Sequence, residues 1–337
     1  MTDTVRITDL TKIDRKAECY RRETYFRESL ADAREVFGKE LWDIVRDSAL
    51  LMMKPDGLAA AKLPAVHSFL GEHGFHIVGA EPVRLDRLVW RELWRYQLTS
   101  ATLDRLAVNA HLFTRGEALV LLLRSDPGHP EPATVRLSGL KGSATLSAQR
   151  PGTLRSRLGQ PNRVLSFLHV ADEPADLLRE LGVLFDREDR VRAMQALGRG
   201  VLDESGGRSL EEALREAHAG GVVLEVADAL KRVEEAVEAC GPRRYGDLDR
   251  LRRDVRTMRE GGRIDFRELS DALRRCDVEV DPWDLAVVAT SFIRHDDPGE
   301  PKVIENPPPG AWAERCENGG PDEEDLHFRG QRGSSPI

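Results

Sequence analysis

Residues 163–185, RVLSFLHVADEPADLLRELGVLF, decide how the first half of the chain folds. Arg163–His169 is a short apolar run, which is typical of a buried strand. Asp172 and Pro174 then supply a helix start, with Asp172 as the expected N-cap, and Ala175–Phe185 has the periodicity of an amphipathic helix. This stretch predicts a strand that ends at a histidine and is followed by a helix.

Upstream of this unit, extended and helical patterns alternate. Extended patterns lie at Ser48–Lys54, Phe75–Leu85 and Glu117–Arg124, and helical patterns lie at Leu58–His73, Asp86–Tyr96 and Ala101–Phe113. Gly139–Gly159 has weak periodicity and is expected to be a long irregular loop. The order of elements favours an α+β fold, a ferredoxin-like (split βαβ) antiparallel sheet with helices on one side.

The rest of the chain adds helices and a tail. Residues 1–45 are expected to form a helical N-terminal arm in front of a domain at 46–186, because their apolar positions recur loosely at helical spacing. Residues 187–296 show only helical signals and predict a second, all-helical domain. Residues 297–337 contain few aliphatic side chains and predict a disordered tail.

Bulk composition restricts the class of protein. The chain has 337 residues, 40% of them hydrophobic, and a net charge of −8. No apolar run approaches the roughly 18 residues that span a bilayer, and the N-terminus lacks the layout of a secretory signal, so a cytoplasmic protein without membrane contact is expected. Arginines are interspersed with acidic residues, so nucleic acid is not an expected partner.

Metal ligation by the protein's own side chains is not expected. The four cysteines, Cys19, Cys240, Cys276 and Cys316, are too far apart in sequence for a CxxC site. His67, His73 and His76 cluster in sequence but lack a plausible third ligand. No metal-binding residue is therefore assigned.

Three motifs surround the predicted strand that ends at His169. KPDG at 54–57 follows the first strand, RPGTLR at 150–155 precedes the last, and Glu180 lies eleven residues after His169 on the predicted helix. In this order and spacing, residues 46–186 resemble the nucleoside diphosphate kinase family. The chain is similar to a diverged member with an added N-terminal arm and C-terminal helical domain.

The resemblance implies a phosphotransferase that acts through a phosphohistidine. His169 would accept the γ-phosphoryl of ATP or another nucleoside triphosphate, with Mg²⁺ on the phosphates, and pass it to a nucleoside diphosphate. Neutral imidazole is nucleophilic near pH 7, which suits this role. Glu180, about three helical turns later, would orient the ring. Lys54 and Arg155 match family residues that contact the phosphates.

Several positions depart from the family pattern. The family's asparagine before the histidine is Ser166, and the Gly-Ser after it are Val170 and Ala171. Its phosphate-binding threonine falls on Ala144 and its arginine near Ser138. The phosphate clamp, meaning the set of side chains that contact the phosphates in the family, therefore has fewer members here.

Substitutes for the missing contacts can be named. Arg136 or Lys141 could replace the absent arginine after a small shift in spacing. The aromatic residues that sandwich the base in the family have only loose counterparts in Tyr96 and Leu106. Arg136 and Tyr96 are accordingly predicted substrate-binding residues.

Two other functions stay open. The thinned clamp is compatible with a catalytically degenerate nucleotide-binding or scaffold protein, with the helical domain as a surface for a protein partner. The altered base site and added domain are compatible with a phosphotransferase that uses a specialised small-molecule acceptor. Relatives assemble as hexamers or tetramers, and the added segments here could either block or replace the contacts of a homo-oligomer.

Overall fold

The computed structural model describes residues 5–240, 245–305, 307 and 310–312. The strands are β1 (Ser48–Met53), β2 (Phe75–Val83), β3 (Ala118–Ser125) and β4 (Leu168–Val170). The helices before β4 are α1 (Ile7–Leu10), α2 (Asp14–Arg22), α3 (Thr24–Phe37), α4 (Leu41–Arg46), α5 (Pro55–Ala59), α6 (Leu63–Glu72), α7 (Arg87–Leu93), α8 (Leu103–Phe113), α9 (Ala133–Lys141) and α10 (Leu154–Leu158). Those after β4 are α11 (Pro174–Leu184), α12 (Arg187–Arg199), α13 (Glu204–His218), α14 (Val226–Glu238), α15 (Tyr245–Arg259), α16 (Phe266–Arg275) and α17 (Pro282–Phe292).

The four strands form one antiparallel sheet in the order β2-β3-β1-β4. The predicted ferredoxin-like sheet is confirmed, since β3 lies between β1 and β2, as a split βαβ unit requires. Every residue of β1 is buried, as expected for a central strand with both faces covered. His169 on β4 pairs with Met52 on β1, so it lies next to the end of β1 that leads into KPDG.

Helices that follow the sheet pack on it and on one another. Helix α11 contacts α3, α7 and β1, while α12 and α13 contact β2. Helices α14 to α17 pair among themselves, and α16 and α17 reach α8. The additional helices agree with the predicted second helical region, although α12 and α13 pack on the sheet, and the domain limit at residue 186 stays a prediction.

Strand β4 is shorter than the predicted strand Arg163–His169. The Asn162 side chain accepts hydrogen bonds from the backbone N–H groups of Val164 and Leu165, which forms a turn there. Phe167 has a φ of 65°, a left-handed conformation that ends any extended run. The expected long loop at Gly139–Gly159 is likewise interrupted, because it contains the end of α9 and all of α10.

The start of the predicted disordered tail is packed. Ile304 and Trp312 are buried, and the Val303 N–H donates to the carbonyl of Tyr96. These residues are ordered, contrary to the predicted disorder, because even isolated apolar side chains in a polar segment can be buried against the folded domain. The remainder of the predicted tail, from residue 313, and the first four residues of the arm lie outside the described residues.

The arm itself is helical in α1 to α4, and Leu10, Phe26 and Phe37 are buried in the core. Among the described residues, no helix is long and apolar enough to cross a membrane.

Candidate active site

A histidine and a glutamate form a hydrogen-bonded pair at the edge of the sheet. His169 Nε2 lies 2.8 Å from Glu180 Oε1, and the two side chains are 18% and 7% exposed. Strand β4 holds the histidine, and α11 runs back past it to bring the carboxylate within reach. Because a carboxylate accepts, Nε2 carries the proton and the lone pair is left on Nδ1.

Trp94, immediately after α7, contacts the other nitrogen. Its indole Nε1–H donates to His169 Nδ1 at 3.4 Å, and the two rings meet edge to face at a centroid distance of 5.5 Å. Trp94 also stacks on Phe113 at 4.8 Å. The indole bond requires the same tautomer as the Glu180 bond. The Trp94 indole also covers Nδ1, the nitrogen that would act as a nucleophile.

The sequence interpretation missed Trp94. It lies two residues before Tyr96, which was chosen as a loose aromatic match, and the WRELWRY run offered both candidates. Spacing alone could not show which ring points at the histidine.

The KPDG motif holds the turn that precedes His169. The Lys54 N–H donates to the Phe167 carbonyl at 2.9 Å, and the Phe167 N–H donates to Asp56 Oδ2 at 3.0 Å. A Cβ at Gly57 would lie 2.3 Å from the Phe167 oxygen, so only glycine allows this close approach. These contacts keep Phe167 in its left-handed conformation and so set where β4 begins.

The Lys54 side chain is buried next to this turn. Its Nζ donates to the Val164 carbonyl at 2.7 Å, lies 3.4 Å from Asp56 Oδ2 and sits over the Phe113 ring. Burial lowers the pKa of Lys54, although Asp56 opposes the shift. Lys54 and Trp94 thus share Phe113 as a neighbour, which places the lysine close to the pair but not in an open phosphate site.

Arg155 is also buried beside β4. It donates to the carbonyls of Gly142 at 2.9 Å and Leu168 at 3.3 Å, the latter being the residue before His169. Burial lowers the pKa of Arg155 to about 10, against the attraction of Asp172 and Asp56. The structure therefore brings Lys54, Arg155, Glu180 and His169 into one region.

Tyr96 does not join them. Its hydroxyl donates to Glu23 Oε2 at 3.1 Å, and its ring packs against Tyr20 and the Arg179 guanidinium. The predicted base contact has no support in this arrangement, since the ring is part of a buried ionic cluster behind the site.

Arg136 lies at the far end of the sheet. It donates to the carbonyls of His73 and Gly74 and sits over the Phe75 ring at 4.1 Å. His76, the second residue of β2, is level with Ser48, because both pair with Arg124 on β3. Ser48 lies four residues from Met52, the partner of His169. The offset is about 13 Å along the strand direction alone. The predicted role of Arg136 in substrate binding therefore has no structural support.

Ser138 and Lys141 are bonded to an acid instead of facing open space. Asp172 Oδ1 accepts from Ser138 Oγ at 2.6 Å and from Lys141 Nζ at 2.8 Å. Asp172 is not the N-cap of α11 as predicted, because Glu173 occupies that position and forms a capping box with Asp176. Burial of the Asp172 carboxyl would raise its pKa, but Lys141 and Ser138 outweigh burial and hold the pKa well below its usual range.

This shift makes a pH-dependent contribution to stability. A carboxyl with a depressed pKa in the folded state stabilises the fold above its ordinary pKa, and that contribution is lost as the pH falls toward the folded-state value. Lys141→Gln is expected to lower the free energy of unfolding by about 1 kcal/mol near pH 7, a modest value because Asp172 is 27% exposed. The difference from wild type should shrink below about pH 4.

Urea unfolding at neutral and acidic pH measures this difference. Lys231→Gln, which removes one partner of an exposed ion pair with Glu235, is the matched control and should show little change. An equal loss in the free energy of unfolding of Lys141→Gln at both pH values would contradict the proposed contribution of the Lys141–Asp172 pair.

The space beside His169 is small and acidic. The cavity has a volume of about 20 Å³, which is room for about one water molecule and far below the roughly 300 Å³ of a ligand pocket. Its lining combines the N-terminal arm, α7, α11 and the C-terminal segment. The charged or titratable lining residues are Lys16, Tyr20, His169, Asp172, Asp176, Glu180 and Glu305.

Comparisons with known proteins agree with the sequence motifs. Residues 47–190 match the family model described as nucleoside diphosphate kinase. A curated relative, the thioredoxin domain-containing protein 3 homolog of Heliocidaris crassispina, is 24% identical over 149 residues. That match covers 44% of this chain and 17% of the relative's length. The resemblance predicted for the first half of the chain is confirmed.

Three solved structures to which the chain is similar are of nucleoside diphosphate kinases. The enzyme from Encephalitozoon cuniculi is 17% identical, with 41% of this chain and 87% of that chain covered and a TM-score of 0.35. The enzyme from Aquifex aeolicus is 16% identical, with 42% and 96% covered and a TM-score of 0.36. A halophilic enzyme from Halobacterium salinarum in complex with CDP is 19% identical, with 42% and 90% covered and a TM-score of 0.35.

Proposed function

We propose that the nucleoside diphosphate kinase-like domain transfers the γ-phosphoryl group of a nucleoside triphosphate, through a phosphohistidine at His169, to a nucleoside diphosphate. One observation supports this most directly. Glu180 Oε1 accepts a hydrogen bond from the Nε2–H of His169 at 2.8 Å, which leaves the lone pair on Nδ1 as the nucleophile. A histidine held in one tautomer by a buried carboxylate is the arrangement that nucleophilic catalysis needs.

The proposed step conserves atoms and charge. Nδ1 attacks the γ-phosphorus, the bond from phosphorus to the bridging oxygen breaks, and the diphosphate leaves. The ring then carries positive charge, which the Glu180 carboxylate stabilises through Nε2–H. In the second half, a terminal oxygen of another diphosphate attacks phosphorus and the Nδ1–phosphorus bond breaks. Trp94 must leave Nδ1 before the first attack, because both need the same lone pair.

Mg²⁺ enters this proposal with the nucleotide. Among the described residues, no group of three His, Cys, Asp or Glu side chains could hold a cation. Magnesium is commonly bound through substrate phosphates with few protein carboxylates and several waters. The proposal accordingly has the ion arrive as the magnesium complex of the nucleotide.

The proposal is tested with γ-labelled ATP and Mg²⁺, followed by a chase with a panel of nucleoside diphosphates. Acid-labile label on the protein that moves to a diphosphate is the expected result. Label that forms but stays on the protein would instead favour a specialised small-molecule acceptor. Nucleotide binding without any label would contradict catalysis.

A nucleotide-binding or scaffold protein without turnover is the second candidate. Two observations favour it: Lys54 and Arg155 donate to backbone carbonyls, and the cavity beside His169 holds about 20 Å³. Nucleotide affinity measured by calorimetry, combined with the labelling experiment, separates it from the first. A cytoplasmic location, a homo-oligomer and a protein partner for the helical domain at 187–296 remain proposals from the sequence.

Glu180→Gln tests the role of the carboxylate. We expect phosphohistidine formation to slow about 10- to 100-fold, because an amide can still accept a hydrogen bond but cannot stabilise the charged ring. Single-turnover labelling measures the rate. Glu188→Gln, an exposed position on α12, is the control for the same substitution. Unchanged labelling in a folded Glu180→Gln protein would remove Glu180 from the mechanism.

A further inference from the structure

We propose that residues 294–305 form a strap that holds Trp94 over His169 Nδ1, so that the structure shows a closed resting state of the site. The inference rests on the proposed function, because it concerns access to the same nucleophile. It assigns a role to a segment of which residues 297–305 were predicted to begin a disordered tail and residues 294–296 to end the helical domain.

The strap lies along the chain segment that directly follows Trp94. The Val303 N–H donates to the Tyr96 carbonyl at 3.0 Å, and Thr99 Oγ1 donates to the Pro301 carbonyl at 3.0 Å. Ala101 and Asp296 form an antiparallel bridge. The Asp297 N–H also donates to the Ser100 carbonyl at 2.7 Å, so the strap contacts residues 96 to 101 at four positions and restrains the turn that carries Trp94.

Ionic contacts fix the start of the strap. Asp296 pairs with Arg105 on α8 and with Arg163 in the turn before β4. It thereby links the strap to the helix after Trp94 and to the segment that leads into His169. The Thr102 N–H also donates to the His295 carbonyl at 3.1 Å.

The end of the strap fills the space in front of the nucleophile. Ile304 is 2% exposed, and Ile304, Glu305 and Pro307 line the cavity beside His169. Leu93 and Trp94 line the same cavity. The cavity of about 20 Å³ cannot admit a phosphoryl group, so a donor can enter only when these residues move away.

Beyond the strap the chain returns to the other side of the site. Trp312 Nε1 donates to Glu173 Oε1 at 3.0 Å at the start of α11, and the Lys12 ammonium lies over its ring at 4.8 Å. The N-terminal arm and the C-terminal segment thus meet over the same helix. Together they enclose the candidate site from both ends of the chain.

Opening is chemically reasonable because most of these contacts are at the surface. Thr99, Thr102 and Asp296 take part in part-exposed bonds, and local opening of such segments draws on few buried contacts. Movement of Glu305 would remove one of the negative charges that repel a polyphosphate. A ligand that binds only the open form would then shift the population toward it.

Phosphoramidate tests the strap without requiring a nucleotide site. The imidazole Nδ1 attacks phosphorus, the phosphorus–nitrogen bond breaks, and the protonated nitrogen leaves as ammonia. Ile304→Ala removes the buried side chain of the strap, and Glu300→Ala changes an exposed residue of the same strap. Phosphorylation of His169 is followed by peptide mass spectrometry at alkaline pH.

We expect Ile304→Ala to accelerate phosphorylation of His169 about tenfold, with Glu300→Ala at the wild-type rate, because the apparent rate scales with the open fraction. Val303→Pro, which removes the N–H bonded to Tyr96, should act in the same direction and decides the matter if Ile304→Ala does not fold. Wild-type rates in folded variants would overturn the strap. If the variants react faster with phosphoramidate than the wild type but ATP labels none of the proteins, the strap proposal stands and the kinase function is rejected.

Discussion

His169→Gln is expected to lower the rate of phosphoryl transfer from ATP to a nucleoside diphosphate by at least about a thousandfold, because the substitution removes the proposed nucleophile. Nucleotide binding should change little, because the glutamine side chain retains a polar group of smaller volume. The rate is measured by rapid quench with labelled ATP, and binding by calorimetry on the same preparations.

His76 supplies a matched control. It forms a pair with Asp126 at 2.7 Å, the same kind of histidine–carboxylate contact, on the exposed face of β2. His76→Gln should transfer at the wild-type rate. Transfer by a folded His169→Gln protein within about tenfold of wild type would show that the phosphoryl group takes another route.

Arg179→Met is expected to lower the free energy of unfolding by about 3–5 kcal/mol, because it removes the cation that pairs with the buried Glu23 carboxylate. Arg179 is 1% exposed and donates to Glu23 with Nε at 2.8 and 2.9 Å. It also donates to the carbonyls of Glu92 and Leu93 at the end of α7. The same side chain thus joins the arm, α11 and the turn that carries Trp94.

Urea unfolding measures the loss in the free energy of unfolding, and two further variants serve as comparisons. Arg274→Met removes an exposed pair with Asp271 and should cost no more than about 1 kcal/mol. Glu23→Gln in the Arg179→Met background should recover part of the loss, since it removes the unpaired charge. A cost below about 1 kcal/mol for Arg179→Met would mean that the cluster does not hold the arm to the domain.

Local patterns in the sequence carried much of the fold and the centre of the site. Ser48–Met53 is apolar throughout because both faces of β1 are covered, and that composition identified it as a buried strand. The eleven-residue spacing of His169 and Glu180 gave a pair that the structure brings to 2.8 Å. In both cases the information lies within one or two adjacent elements.

The directions of long side chains could not be predicted in the same way. Tyr96 and Arg136 stand near family positions in spacing, but the former turns to Glu23 and the latter to carbonyls at the far end of the sheet. Asp172 had the pattern of a helix cap, yet Lys141, 31 residues earlier, engages it instead. Partners distant in sequence decided each case.

The strap beside His169 could not be predicted from the sequence for a related reason. Residues 294–305 are polar, with few aliphatic positions, which is the composition of an exposed tail. Ile304 is buried beside a cavity that Trp94 and His169 also line, although both lie more than a hundred residues away in sequence. Such a contact leaves no periodic signal.

Locating the phosphoryl group tests the central claim most directly. The protein is incubated with Mg²⁺ and ATP, quenched at alkaline pH, digested, and mapped by fragment-ion mass spectrometry. The account predicts a phosphoryl group on His169 that disappears when a nucleoside diphosphate is added before the quench. An unmodified His169 in protein shown to bind the nucleotide, or a phosphoryl group on another residue, would contradict it.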